Sequence, residues 1–224
     1  MKALIDADIV AYRVACTLQD DDAQDFAYAR TEDLVDHILV STEASEYNLY
    51  LTGKDNFRYS IYPEYKAHRP KEKPFWLEPI RQYLIATFNA EVIDGMEADD
   101  ALGLNQTDDT IICSIDKDLL MVPGKHFNFV KNEFCEVTEF EGLKHFYKQC
   151  LMGDRSDNIK GIENIGTKKA DKILAECETE QHLFDTVRNA YSNDDEFKMN
   201  AQVLWIRQKG KENWLDAYIK LCTE

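Results

Sequence analysis

No two of the six cysteines in this chain (Cys16, Cys113, Cys135, Cys150, Cys177 and Cys222) stand in a C-x-x-C spacing. Their scatter excludes the common structural zinc patterns and a disulfide scaffold, so reduced, mostly buried thiols of a cytosolic protein are expected. No run approaches the ~18 apolar residues that a membrane-spanning helix needs. Asp6 and Asp8 interrupt the stretch where a signal peptide would be apolar, so secretion is not expected. There is no internal repeat, low-complexity tract or obvious linker. Positive charge is also scarce: 26 Lys and Arg face 42 Asp and Glu, for a net charge of −16. Such a chain is a poor general binder of polyanions. To act on nucleic acid it must concentrate its bases locally, or let bound cations cancel its acid.

What is present fits one soluble, cytoplasmic domain, or a main domain with a small lobe. The 224 residues suffice for a real core, and 44% apolar with 30% charged residues is ordinary for an enzyme. KALID (2–6), YNLYLT (47–52), EVID (91–94) and TIICSID (110–116) read as buried strands. Helical patterns separate them, one opening at Thr31 as N-cap and one over 75–88, with Pro79 close to its start. FRYSIY (57–62), and HFNFV with CEVT (126–138), read as possible hairpin strands. From about residue 139 the pattern turns all-helical, over 139–151, 167–177, 180–191, 195–208 and 213–222. The expectation is an α/β domain (1–138) around a mainly parallel sheet, followed by a helical lobe (139–224).

The acid is placed unevenly. Asp6 ends the first strand, Glu97, Asp99 and Asp100 form EADD at a helix start, and Asp116 and Asp118 form SIDKD after a strand. Asp154 and Asp157 lie in MGDRSDN. Each alone has a bland explanation as a helix cap or turn residue. Taken together, several fall at carboxyl ends of parallel strands, where open sheets bind ligands, and they should converge. Crowded carboxylates raise one another's pKa unless cations neutralise them. Oxygen ligands without His or Cys select Mg²⁺, with Mn²⁺ as a substitute, over zinc. Two such ions suit phosphodiester hydrolysis.

Two segments gather the scarce bases. GIENIGTKKADKIL (161–174) has helix–hairpin–helix form within 153–175. Gly161 and Gly166 permit close backbone approach to a phosphate, and Thr167, Lys168 and Lys169 open the next helix. YPEYKAHRPKEKP (62–74) interleaves Tyr62 and Tyr65 with Lys66, His68, Arg69, Lys71 and Lys73. Aromatic and cationic groups together suit single-stranded ends, and a cation here could stabilise charge on the scissile phosphate.

LIDAD (4–8), FRYSIYPEYKAHR (57–69), EADD (97–100), SIDKDL (114–119) and GDRSDNIKGIENIGTKKA (153–170) together resemble the 5′-nucleases: flap endonucleases, the 5′-nuclease domain of bacterial DNA polymerase I, and phage 5′→3′ exonucleases. The compact phage exonucleases look closest. The resemblance runs over residues 1–175 and implies a PIN-like α/β domain with a helix–three-turn–helix DNA clamp. It implies Asp6, Glu97, Asp99, Asp100, Asp116, Asp118, Asp154 and Asp157 as metal-site carboxylates for two Mg²⁺ ions. Asp6 and Asp116 would be catalytic together with Lys66 and Arg69 at the scissile phosphate. Tyr65, Gly161, Gly166, Thr167, Lys168 and Lys169 would contact DNA, and carbonyls of the hairpin would hold a K⁺ ion. The implied partner is duplex DNA with a 5′ end, nick or flap, or an RNA–DNA hybrid, bound by a monomer.

Two departures from the family pattern stand out. A further Asp usual after the second strand is replaced by Gly53, with Asp55 nearby. The span from Lys66 to Glu97 is short for a full helical arch, which favours action at ends or nicks over threading of long flaps. Two rival readings are a PIN-type ribonuclease on single-stranded RNA, which has little use for a duplex clamp, and a catalytically impaired branched-DNA binder. The latter gains nothing from an acidic pit.

Overall fold

The computed structural model describes residues 1–70 and 72–223, so Lys71 of the basic segment lies outside it. The chain forms two compact units. The first comprises Met1–Asn56, Pro70–Lys117 and Gly124–Glu136; the second comprises Phe57–Arg69, Asp118–Pro123 and Val137–Glu224.

The first unit is an α/β structure. Its elements are β1 (Lys2–Asp6), α1 (Ala7–Ala15), α2 (Gln24–Thr42), β2 (Glu46–Thr52), α4 (Leu77–Phe88), β3 (Glu91–Ile93), α5 (Ala98–Asn105), β4 (Thr110–Cys113), β5 (Gly124–Asn128) and most of β6 (Glu133–Val137). The sheet order is β3-β2-β1-β4-β5-β6, and β3–β2, β2–β1, β1–β4 and β4–β5 are all parallel. Parallel strands must be covered on both faces, and they are. Ala3, Ile5, Leu49, Leu51, Ile111 and Cys113 meet Val10, Val14, Val35, Ile38, Ile80 and Leu84 of α1, α2 and α4. Leu4, Tyr50 and Ile112 alternate to the opposite face, where α5 lies on β1 and β2. The chain leaves β1 for β2 on one side and reaches β4 on the other. The carboxyl end of β1 is therefore the topological switch point of the sheet.

The second unit is helical: α3 (Arg58–Ile61), a 3-10 turn (Asp118–Met121), α6 (Glu139–Met152), a two-strand ribbon of β7 (Gly153–Asp154) and β8 (Ile159–Lys160), α7 (Thr167–Ile173), α8 (Glu180–Ala190), α9 (Asp194–Leu204) and α10 (Trp214–Leu221). A reciprocal cap starts α6, with Thr138 N–H donating to Glu141 at 2.9 Å and Glu141 N–H to Thr138 Oγ at 3.3 Å. Phe146 and Tyr147 of α6, Leu183, Phe184 and Val187 of α8, and Phe197 and Ala201 of α9 are all fully buried.

Three local expectations change. FRYSIY is not a strand: Arg58–Ile61 form a helical turn, because buried Arg58 donates to the Val203 and Trp205 carbonyls at 2.8 and 2.9 Å. Thr31 is no N-cap but sits inside α2, returning its hydroxyl to the Ala27 carbonyl at 2.9 Å. Of the six free cysteines, only Cys113, Cys150 and Cys177 are buried.

Candidate functional site

In the first unit the acids gather where the strands end. Asp6 closes β1 and caps α1, accepting from Ile9 N–H at 3.0 Å and from the Ser114 hydroxyl at 2.7 Å. Ser114, just beyond β4, also accepts from the N–H of Asp116 at 3.1 Å. One buried hydroxyl thus ties the ends of two adjacent strands, each carrying an acid. Asp6 is 2% exposed. Burial raises its pKa to about 7, with the charges of Asp8 and Asp116 adding to the rise and the Ile9 and Ser114 hydrogen bonds opposing it.

The neighbouring strand supplies a second knot. Thr52, the last residue of β2, donates its N–H to Asp8 at 2.8 Å and accepts at its carbonyl from Arg81 of α4 at 2.7 Å. Its hydroxyl accepts from Ala98 N–H at 2.9 Å, at the first turn of α5. Arg81 also pairs directly with Asp8. The start of α5 is therefore pinned, and with it Glu97, Asp99 and Asp100. Buried Asp100 accepts from the Glu97 N–H at 3.1 Å, so the capping role expected of EADD is present.

Gly53 has a physical reason. A Cβ there would lie 2.1 Å from Asp94 Oδ1 and 2.8 Å from the Ile93 carbonyl. The carboxylate in that space comes from Asp94, which follows β3 and accepts from Lys54 N–H at 2.7 Å. Asp55 is exposed at φ 60°.

In the second unit, Asp157 organises the basic turn. Its carboxylate accepts from the Tyr65 hydroxyl at 2.8 Å and from Arg69 at 2.6 Å, with Lys66 Nζ 3.7 Å away. Its carbonyl accepts from Lys66 N–H at 3.0 Å. Asn158 donates to the Glu64 carbonyl at 2.8 Å, and Arg69 to the Ser156 carbonyl at 3.1 Å. These bonds hold Lys66 at φ 55°, a left-handed conformation that a lysine adopts only when its surroundings impose it. Asp154 accepts from the N–H and hydroxyl of Ser156 at 2.7 and 2.8 Å, forming the turn foreseen as its bland role. Asp118 accepts from Gln149 of α6.

The two hairpin glycines differ. A Cβ on Gly161 would lie 2.1 Å from the Met152 carbonyl carbon and 2.3 Å from Gly153 N, so its smallness serves packing against the end of α6. Gly166 caps α7 with open space around it, and exposed Thr167, Lys168 and Lys169 follow.

Among the described residues, no group of three or more His, Cys, Asp or Glu side chains closes as a ready metal cage. Mg²⁺ does not need one, since it keeps several waters and takes only one or two carboxylates directly. Asp6 supplies the test of fit. A buried carboxylate whose pKa is raised by burial, and further by two anionic neighbours, is a position short of positive charge, and a divalent cation meets that need. Asp8, Thr52, Arg81 and Ser114 escaped sequence reasoning. Asp8 at least lay inside LIDAD, whereas nothing local marks Arg81, 73 residues away.

The model of the family described as "5′-3′ exonuclease, N-terminal resolvase-like domain" matches residues 2–148. DNA polymerase I of Caldicellulosiruptor bescii is 32% identical over 171 residues, covering 65% of this chain and 19% of that protein. The chain thus spans about a fifth of the length of the polymerase relatives it matches. A 5′-3′ exonuclease of Buchnera aphidicola subsp. Acyrthosiphon pisum is 29% identical over 194 residues, 76% of this chain and 65% of that one. In fold, the T5 D15 protein co-crystallised with metal ions superposes with a TM-score of 0.74 at 18% identity, covering 91% of this chain and 88% of the other.

Proposed function

The chain belongs to the 5′-3′ exonuclease N-terminal resolvase-like domain family, and from that premise we propose that it is a metal-dependent 5′→3′ nuclease. Its substrates are 5′ ends, nicks or short flaps of duplex DNA or an RNA–DNA hybrid. The observation that carries the reading is Asp6, buried at the switch point of the sheet and tied through Ser114 to Asp116. A protein that merely binds DNA gains nothing by burying an acid there against two further acids.

In this reading Asp6, Glu97, Asp99, Asp100 and Asp116 are the carboxylates of the first unit that would hold Mg²⁺, and within the second unit Asp118, Asp154 and Asp157 are its metal-site carboxylates. Mg²⁺ held there would supply activation of a water and stabilisation of the leaving oxygen of a phosphodiester. Ser114 and Ile9 N–H fix the orientation of Asp6, and Thr52 fixes the start of α5. Asp157 presents Lys66 and Arg69, which neutralise charge on the scissile phosphate. Tyr65 by stacking, and Gly161, Gly166, Thr167, Lys168 and Lys169 by contacts to the backbone, grip the DNA, with K⁺ at the hairpin carbonyls.

The test is a time course on 5′-labelled nicked and 5′-flap duplexes with Mg²⁺ or EDTA. Short 5′ products are expected with Mg²⁺ only, with Lys66→Ala slower by about 100-fold in single turnover at saturating enzyme. An unchanged rate in Lys66→Ala removes it from the chemistry. Absence of cleavage in Mg²⁺ and Mn²⁺ despite duplex binding overturns the nuclease reading.

A further inference from the structure

One cavity of about 450 Å³ in the second unit shares Asn158 and Gly161 with the segments described above, but its cations have no role there. His68, Arg155 and Lys160 line it together with Asn158 and the apolar Met152 and Ile159, and Glu163 is the one acid in the lining. Its volume falls within the range of small-ligand sites.

The cations are placed there by rigid backbone. Arg155 follows β7 and Lys160 ends β8, with Gly153 paired to Lys160 and Asp154 to Ile159. The crossing behind them is too tight for side chains: a Cβ on Gly153 would lie 2.2 Å from Gly161 N, and Gly153 sits at φ 68°. Buried Asn200 of α9 donates to the Lys160 carbonyl at 2.7 Å, and Ile162 N–H to the Leu151 carbonyl at 2.9 Å. The backbone beneath them is held, so only the exposed side chains of Arg155 and Lys160 need order when a ligand arrives.

Charge gives the second observation. Acids outnumber bases 42 to 26 in this chain, so a cation has ample opportunity to pair. Among the described residues, neither Arg155 nor Lys160 has an ion-pair partner. Two unpaired cations and an imidazole share one cavity, and an anion is the complement of that arrangement.

We propose that this cavity is a receptor for a terminal phosphate monoester, the 5′-phosphate of the strand to be cut. The proposal rests on the nuclease reading and adds a specificity to it. A monoester carries about −1.5 to −2 charge at pH 7 and three acceptor oxygens, against −1 for an internal diester, and so makes fuller use of two cations. Arg155 takes it by paired N–H donors and Lys160 as a point charge. The apolar lining receives the first sugar, and because Glu163 repels any anion, a dianion most, the preference for the monoester rests on Arg155 and Lys160 outweighing it.

The experiment measures binding of the full chain to nicked duplexes bearing either a 5′-phosphate or a 5′-hydroxyl, by fluorescence anisotropy in EDTA. The wild type is expected to prefer the phosphate by about tenfold. Arg155→Ala/Lys160→Ala should bind both substrates alike, with its hydroxyl affinity within about twofold of wild type. Arg155→Gln alone should keep part of the preference. No wild-type preference, or a preference that survives the double substitution, overturns the proposal. An equal loss on both substrates also overturns it and makes the cavity a grip on internal diesters. Mg²⁺-dependent cleavage of the 5′-hydroxyl substrate by the double variant separates the two readings. If it persists, the nuclease reading stands whatever the binding shows; if wild type also fails to cut, that reading has failed independently.

Discussion

At the scale of single residues, Asp6 links the site to the stability of the fold. Its folded pKa of about 7 lies above the ordinary carboxylate value, so between the two pH values the folded chain keeps a proton that the unfolded chain has released. Stability of the metal-free protein therefore falls as pH rises through that window and levels off above about 7. Thermal melts in EDTA should show this decline. Asp6→Asn should flatten it, raising the melting temperature at pH 8 by on the order of 5 °C while gaining little at pH 4. A wild-type curve that does not fall between pH 4 and 7 would contradict the assignment. Asp157 shows the opposite use of a carboxylate. It is surrounded by cations, and in their company it sets the conformation of the turn that bears Lys66.

At the scale of elements, Thr52 is the meeting point of β2, α1, α4 and α5. Its three polar groups each serve a different element: Asp8 at the start of α1, Arg81 of α4 and Ala98 of α5. The Asp8–Arg81 pair is less than one-third exposed at either end, so its worth exceeds that of an ordinary surface pair. A double-mutant cycle with Asp8→Asn and Arg81→Met should give a coupling of about 1–2 kcal/mol in denaturant unfolding. Additive losses would mean that Thr52 alone carries the joint. Gly53 and Asp94 also belong to this scale. The acid absent at one strand end is supplied from the next, and the room for it exists because residue 53 has no side chain.

At the scale of the whole molecule, the family match stops at residue 148, yet the helices beyond it are integral to the second unit. Arg58 finds its carbonyl partners at Val203 and Trp205, and Gln208 donates to the Met121 carbonyl at 3.1 Å. Phe146 of α6 packs edge-on to Trp205 at 4.9 Å. Deleting residues 179–224 should therefore remove cooperative unfolding of the second unit and bind a hydrophobic dye, rather than trim an independent tail. A truncated chain that melts as sharply as wild type would refute this. The sequence by itself determined the four buried strands, the parallel sheet, the all-helical stretch after residue 139 and the positions of the acids at strand ends, because periodicity and turn chemistry are local. It did not determine α1 or the start of α2. LIDAD, EADD and SIDKD, with the hairpin, also carried the family. Only the tertiary structure decided that FRYSIY coils into a helical turn, since the carbonyls that claim Arg58 lie some 145 residues away. It likewise decided that Arg81 meets Asp8, that Asp94 fills the space over Gly53, and that Arg155 and Lys160 share a cavity. Contacts between residues distant along the chain leave no periodic or spacing signal, and burial depends on neighbours that a single sequence does not name.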